Sequence, residues 1–162
     1  MTTYDSPRIF DGALRTEGRT FAVIVSRFNQ TVTDRLLDGA LQCFRKNGVD
    51  IPRSVEVFFC PGAYELPQVA AHVTAQKRYS AVVCLGAVVR GETPHFDFIC
   101  QECARGIGDV ARQRGVPVMF GVLTTDTFEQ AMERAGGSVG NKGYDAALGA
   151  VQMADLFAQT SL

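Results

Sequence analysis

The sequence predicts an α/β protein built as a three-layer α/β/α sandwich, with a four-stranded parallel sheet between layers of helices. Three observations predict it. Four short runs rich in Val, Ile, Leu and Phe recur along the chain, and the stretches between them carry apolar residues spaced three and four apart. Strands separated by helices in this way need right-handed crossovers, which makes them parallel neighbours in one sheet. Finally, 162 residues with 46% apolar and 20% charged side chains suit one domain that buries its own core, without a disulfide or metal to hold it.

Residues 1–18 show neither strand nor helix period and read as an N-terminal arm that orders against a neighbouring subunit, leaving 19–162 as the domain. Phe21-Ala22-Val23-Ile24-Val25 is an unbroken apolar run, as expected of a strand covered on both faces. Thr33 is then a candidate N-cap for a helix with Val32, Leu36, Leu37, Ala40, Leu41 and Phe44 on one face, closed by Asn47-Gly48. Val55 to Phe59 gives a second strand, Pro61-Gly62 breaks it, and Pro67 opens a helix with Leu66, Val69, Ala70 and Val73 inward. Ala81 to Val89 is the third strand, followed by the loop Arg90-Gly91-Glu92-Thr93-Pro94 and a helix through Phe96, Ile99, Cys103, Ile107 and Val110 that ends at Arg114-Gly115. Pro117 to Leu123 is the fourth strand. Thr127 with Gln130 forms a capping box for a helix through Ala135, and a last helix from about Asn141 carries Tyr144, Ala147, Leu148, Val151 and Phe157.

Charge and composition exclude several classes. Sixteen basic against 17 acidic residues leave no basic stripe for nucleic acid or an anionic membrane. The longest apolar stretch, Ala81 to Val89, is far short of the roughly 20 residues of a membrane helix, and the start lacks a signal pattern, so a cytoplasmic protein is expected. Five dispersed cysteines, odd in number, suit reduced thiols that pack as small hydrophobes.

Three patterns resemble sites without the required context. Gly106-Ile107-Gly108 lies deep in a helical repeat, whereas a dinucleotide fingerprint follows a strand and opens a helix. Cys100 and Cys103 have redox or zinc spacing, but both fall on the apolar helix face and no second pair exists. Gly140-Asn141-Lys142-Gly143 lacks the length and ending of a phosphate loop and reads as a helix-opening turn. A receiver domain would need acidic residues after the first strand, where Ser26-Arg27-Phe28-Asn29 stands.

In a parallel α/β sheet, ligands bind outside the carboxyl ends of the strands, so the loops after Val25, Phe59, Val89 and Leu123 are where chemistry is expected. They offer an aromatic at Phe28, a carboxylate at Glu65, and a Gly-Glu-Thr turn leading into a helix that bears His95. Together these suit a flat polar ligand beside an anion. Taken singly each has a plainer reading: a core aromatic for Phe28, a helix-dipole partner for Glu65, a helix-start residue for His95, a solvated cation for Arg134.

The motifs Ser26-Arg27-Phe28-Asn29, Pro61-Gly62-Ala63-Tyr64-Glu65-Leu66-Pro67, Leu85 to Asp97, Pro117 to Thr124, Glu129 to Gly136 and Gly140-Asn141-Lys142-Gly143 occur in order from about Thr20 to Ala158, and with them the chain resembles the lumazine synthase family. The resemblance implies a flavodoxin-like fold and the penultimate step of riboflavin synthesis, a condensation of 5-amino-6-(D-ribitylamino)uracil with 3,4-dihydroxy-2-butanone 4-phosphate that uses no cofactor and no metal. Carried over by position, Phe28 stacks on the pyrimidine, Ala63, Tyr64 and Glu65 meet the ribityl chain, and Ala87, Val88 and Val89 hold the uracil edge through backbone groups. Glu92 and Thr93 bind the phosphorylated ketone, Glu92 with its backbone N–H toward the anion and its carboxylate toward solvent. His95 is the proton donor. Phe120 and Arg134 come from a neighbouring subunit, Arg134 pairing with phosphate, and Lys142 joins the candidates.

The resemblance also implies pentamers and, from the short turn Gly136 to Gly143, a closed sixty-subunit shell, although Ser138 stands where the family often has lysine. A functional link to riboflavin synthase goes with that assembly. The competing class is a non-catalytic or low-turnover flavin- or lumazine-binding shell protein of the same fold, and the joint presence of Phe28, Glu65, His95 and Arg134 speaks against it.

Overall fold

A computed structural model of the chain describes residues 6–161. The four apolar runs form strands β1 (Phe21–Ser26), β2 (Val55–Cys60), β3 (Ala81–Val89) and β4 (Val118–Thr125), all parallel and ordered β2-β1-β3-β4 across the sheet. β1 is buried at every residue and β3 through Ala87, as central strands covered on both faces must be. On the edges Val57 and Phe59 of β2 and Phe120 of β4 remain exposed.

Helices cover both faces: α1 (Gln30–Lys46), a single turn α2 (Ile51–Ser54), α3 (Leu66–Thr74), α4 (His95–Arg114), α5 (Phe128–Arg134) and α6 (Lys142–Thr160). Alternation along the strands sorts the core into two layers. Phe21, Val23, Val25, Val83 and Leu85 pack against α1 and α6, where the Phe21 and Phe44 rings stack 4.7 Å apart. Ile24, Val82 and Cys84 pack against Leu66 and Val73 of α3 and Ile107 of α4. Among the described residues no helix is long and apolar enough to cross a membrane.

Several boundaries differ from the sequence reading. α1 starts three residues before Thr33, which is buried inside the helix rather than capping it. The residue before the helix is Asn29, left-handed at φ 59°, with its carboxamide committed across the sheet instead of to a cap. β4 runs on to Thr125 because β3 offers partners that far, Val88 opposite Thr124 and Val89 opposite Thr125. α5 stops at Arg134, and a small antiparallel hairpin, β5 (Ala135–Gly137) with β6 (Gly140–Asn141), follows it. The Thr127–Gln130 capping box is present, the Gln130 N–H donating to Thr127 Oγ1 at 3.1 Å. Asn141 opens α6, its Oδ1 accepting from the Gly143 and Tyr144 N–H groups at 2.8 and 3.1 Å, so Gly140 to Gly143 is a helix-opening turn as read.

Met1–Asp5 of the arm lie outside the described residues. Its later part, expected to order against a neighbouring subunit, is tied to its own chain. Asp155 on α6 is 1% exposed, and its carboxylate accepts from the Ala13 N–H and from Arg19, each at 2.8 Å. A buried carboxylate needs such partners, which fixes the chain from Asp11 to Arg19 along α6. Gln159 adds a bond to the Asp11 carbonyl and Thr16 one to the Asn47 carbonyl.

Candidate active site

A pocket of about 540 Å³ opens at the carboxyl ends of β1, β2 and β3. Phe28 forms one wall and is 68% exposed, unusual for a large aromatic unless something covers it. The loop that carries it is fastened to the end of β2: the Arg27 N–H donates to the Cys60 carbonyl at 2.9 Å and the Phe28 N–H to the Pro61 carbonyl at 3.0 Å. Gly62 lets the ring lie down on that loop, because a Cβ there would sit 2.6 Å from Phe28 Cδ2. A 3-10 turn, Ala63–Glu65, forms the facing wall. Its Glu65 Oε2 accepts from the Gly62 N–H at 2.9 Å, so the carboxylate closes the turn and is held at the pocket at once.

The floor follows from strand lengths. The last β1–β3 pair is Val25 with Leu85, yet β3 continues for four residues, Gly86 to Val89. Over that overhang the β1-facing edge of β3 has no strand beside it, so its backbone groups look into the pocket. Asn29 Nδ2 spans the gap to the Ala87 carbonyl at 2.8 Å. Strand alternation turns the Val89 backbone groups to that same open side. A flat ligand with donors and acceptors along one edge can take the place of the missing strand.

His95 is exposed on the pocket rim as the first residue of α4, with Ile99 one turn further in. Of the expected site residues, Phe28, Ala63, Tyr64, Glu65, Ala87, Val88, Val89 and His95 therefore come together. Glu92 and Thr93 lie exposed in the loop before α4 and line neither this pocket nor the next. The sequence reading gave no role to Asn29, Gly62 and Ile99, which also line the pocket. Asn29 was legible in part, since asparagine after a strand tolerates the left-handed turn that re-aims its amide.

Phe120, Arg134 and Lys142 gather elsewhere, in a concavity of about 430 Å³ along β4 with Thr124, Thr125 and Asp145. Arg134 donates to the Gln130 carbonyl at 3.0 Å and lies 3.8 Å from Glu133. Lys142 Nζ is 3.3 Å from Asp145.

The motifs set aside in the sequence are structural. Gly106 sits mid-helix where a Cβ would be 2.7 Å from Pro67, so it allows α4 to approach α3 closely. All five cysteines are free thiols, and burial pushes Cys43 and Cys60 up to about 11, Cys103 to about 12, and Cys84 and Cys100 upward as well. They are poor nucleophiles and poor metal ligands. Among the described residues no three His, Cys, Asp or Glu side chains are grouped to hold a metal.

A parallel α/β sandwich with an aromatic-walled pocket at its strand ends, an open backbone edge in the floor and an imidazole on the rim defines an enzyme that works on small, flat, polar molecules. The comparisons agree and narrow the class. The family model for 6,7-dimethyl-8-ribityllumazine synthase matches residues 18–158. A protein of Desulfatibacillum aliphaticivorans named 6,7-dimethyl-8-ribityllumazine synthase is 50% identical over 153 residues, covering 94% of this chain and 98% of its own. The chain belongs to the 6,7-dimethyl-8-ribityllumazine synthase family, transferases of riboflavin biosynthesis.

Proposed function

We propose that the protein condenses 5-amino-6-(D-ribitylamino)uracil with 3,4-dihydroxy-2-butanone 4-phosphate to give 6,7-dimethyl-8-ribityllumazine, phosphate and water, the penultimate step of riboflavin synthesis. The observation that carries this reading is the exposed Phe28 ring set against the open edge of β3, with His95 at the rim. Phe28 stacks on the pyrimidine while the backbone of Ala87 and Val89 meets its edge, with Val88 lining the pocket between them. Ala63, Tyr64 and Glu65 border the ribityl chain.

The amine attacks the ketone, and water leaves to form an imine. Loss of a proton from the neighbouring carbon expels phosphate and leaves an enol, which takes up a proton at carbon and loses one from oxygen to become a methyl ketone; attack of the ribityl-bearing nitrogen on that carbonyl closes the ring with loss of a second water. Each step moves protons, and an imidazole can both give and take them near neutral pH. His95 is the relay, worth about 10²–10⁴-fold by general acid–base action. Holding the two substrates in register supplies more, up to roughly 7–11 kcal/mol for well-oriented pairs. Glu92 and Thr93 receive the phosphorylated ketone through the loop before α4. A planar guanidinium grips phosphate with two parallel bonds, the role assigned to Arg134, with Lys142 beside it.

Phe120 and Arg134 complete the pocket of a neighbouring subunit, with Lys142 in the same concavity; residues 19–162 act as one domain within a pentamer, with residues 1–18 as the arm. Closure into a sixty-subunit shell, a link to riboflavin synthase and a cytoplasmic location belong to the same reading. Mixing the purified protein with both substrates tests the activity. Appearance of lumazine absorbance is expected, and its absence with intact, folded protein leaves the non-catalytic binding reading. Light scattering tests the assembly, where a particle near the mass of five chains overturns the shell.

A further inference from the structure

The loop assigned to the phosphorylated ketone, Gly91-Glu92-Thr93-Pro94, is exposed at every residue, and among the described residues the Glu92 and Thr93 side chains make no hydrogen bond to protein. Around Gly91 there is open space where a side chain would be. Such a segment is ordered by its ends alone. Arg90, at its start, is not in the pocket wall, yet its side chain meets three residues in two other parts of the chain. Nε donates to Asp126 Oδ1 at 2.8 Å, NH1 donates to Asp97 Oδ1 at 3.3 Å, and the guanidinium lies over the Phe96 ring 4.3 Å from its centroid. Its backbone N–H donates to the Thr125 carbonyl at 2.9 Å.

These partners are firm points. Asp126 belongs to the turn locked by the α5 capping box, its N–H donating to Gln130 Oε1 at 2.9 Å. Asp97 is in the first turn of α4, its N–H donating to the Pro94 carbonyl at 3.0 Å, and Phe96 is buried. One planar group thus spans the start of the loop, its end, and the exit of β4. The guanidinium also offsets the charge of two carboxylates close to the loop.

We propose that Arg90 is a positioning residue that holds the Gly91–Pro94 loop in its anion-receiving arrangement by bridging Asp97 and Asp126 across Phe96. The inference rests on the proposed function for the identity of the anion. Its cost to folding is small, because Arg90, Asp97 and Asp126 are each between 45% and 67% exposed and exposed pairs add little stability. Its effect falls on binding. If release of the loop lowers the fraction in the competent arrangement to about a tenth, the apparent KM for the ketone rises about tenfold.

The test is steady-state kinetics on Arg90→Ala, Arg90→Lys and Asp126→Ala, with each substrate varied in turn, beside melting temperatures. Arg90→Ala and Asp126→Ala are expected to raise KM for the phosphorylated ketone about tenfold while KM for the pyrimidine and kcat stay within about twofold. Arg90→Lys, with a point charge in place of the fork, is expected to raise it only about threefold. An unchanged ketone KM in Arg90→Ala overturns the proposal. So does a rise in both KM values with a lowered melting temperature, the mark of a merely structural residue. A parent protein that forms no lumazine sinks the proposed function instead, and hydrogen–deuterium exchange then decides the tether: faster exchange over residues 91–97 in Arg90→Ala supports it, and unchanged exchange overturns it.

Discussion

Replacing Phe28 with alanine distinguishes a ligand platform from a core aromatic. Truncating a fully buried phenylalanine costs about 3–5 kcal/mol in stability. Phe28 is 68% exposed in the chain, so only about a third of that is at stake, roughly 1 kcal/mol. A base stacked on an aromatic side chain is worth about 1–3 kcal/mol, which translates into a roughly 5- to 150-fold loss of affinity for the ribitylaminouracil. Calorimetric titration of that substrate alone, beside thermal melts, reads both quantities. Phe28→Leu keeps the bulk without the aromatic face and is expected to fall between. Unchanged pyrimidine affinity together with a loss of several kcal/mol in stability would refute the stacking argument.

His95→Ala is expected to slow turnover by about 10²–10⁴-fold without abolishing it, since positioning of the substrates survives; a variant as fast as the parent in steady-state assays removes the imidazole from the mechanism. Arg134→Ala should raise KM for the phosphorylated ketone and leave the pyrimidine's alone, and poorer pyrimidine binding with unchanged ketone saturation contradicts the assignment. Asp155 is held down to about 2 by Arg19 and the Ala13 N–H, so its contribution is complete above the ordinary 3.8 and is lost as pH falls toward 2. Melts of Asp155→Asn and the parent should accordingly differ most above about pH 4 and converge near pH 2; a constant gap across that range refutes the linkage.

Most of the fold was legible because long elements carry a period. β3 was read with its true ends, and α4 from Phe96 to Arg114 shows an inward row at three- and four-residue spacing. The short pieces were not legible. α2 has four residues and the β5–β6 strands three and two, too few to establish a period, and their places are set by neighbours. The start of α1 was misread because Thr33 is a plausible cap in isolation, whereas the tertiary bond from Asn29 to Ala87 decides the entry of the helix. Strand order was likewise not in the local pattern. The site was legible as a set of strand-end loops, and its division into two concavities was not, since that depends on which edge of β3 and β4 each residue meets.

That division bears on assembly. Phe120 is paired with Cys84, three residues before Ala87, so it lies roughly 10 Å down the sheet and one strand spacing of about 4.8 Å across from the pocket floor. Reacting atoms must approach to about 3–3.5 Å, so a ligand stacked on Phe28 is out of reach of the same chain's Phe120. If the concavity along β4 serves catalysis, it serves a neighbour's pocket, so an active assembly needs at least two chains. Two damaged chains should then repair each other. In a coexpressed one-to-one mixture of His95→Ala and Arg134→Ala, about one site in four joins an intact pocket to an intact concavity, so activity should exceed the mean of the two pure variants. Activity equal to that mean would place His95 and Arg134 of one chain in one site and remove the shared pocket from the mechanism.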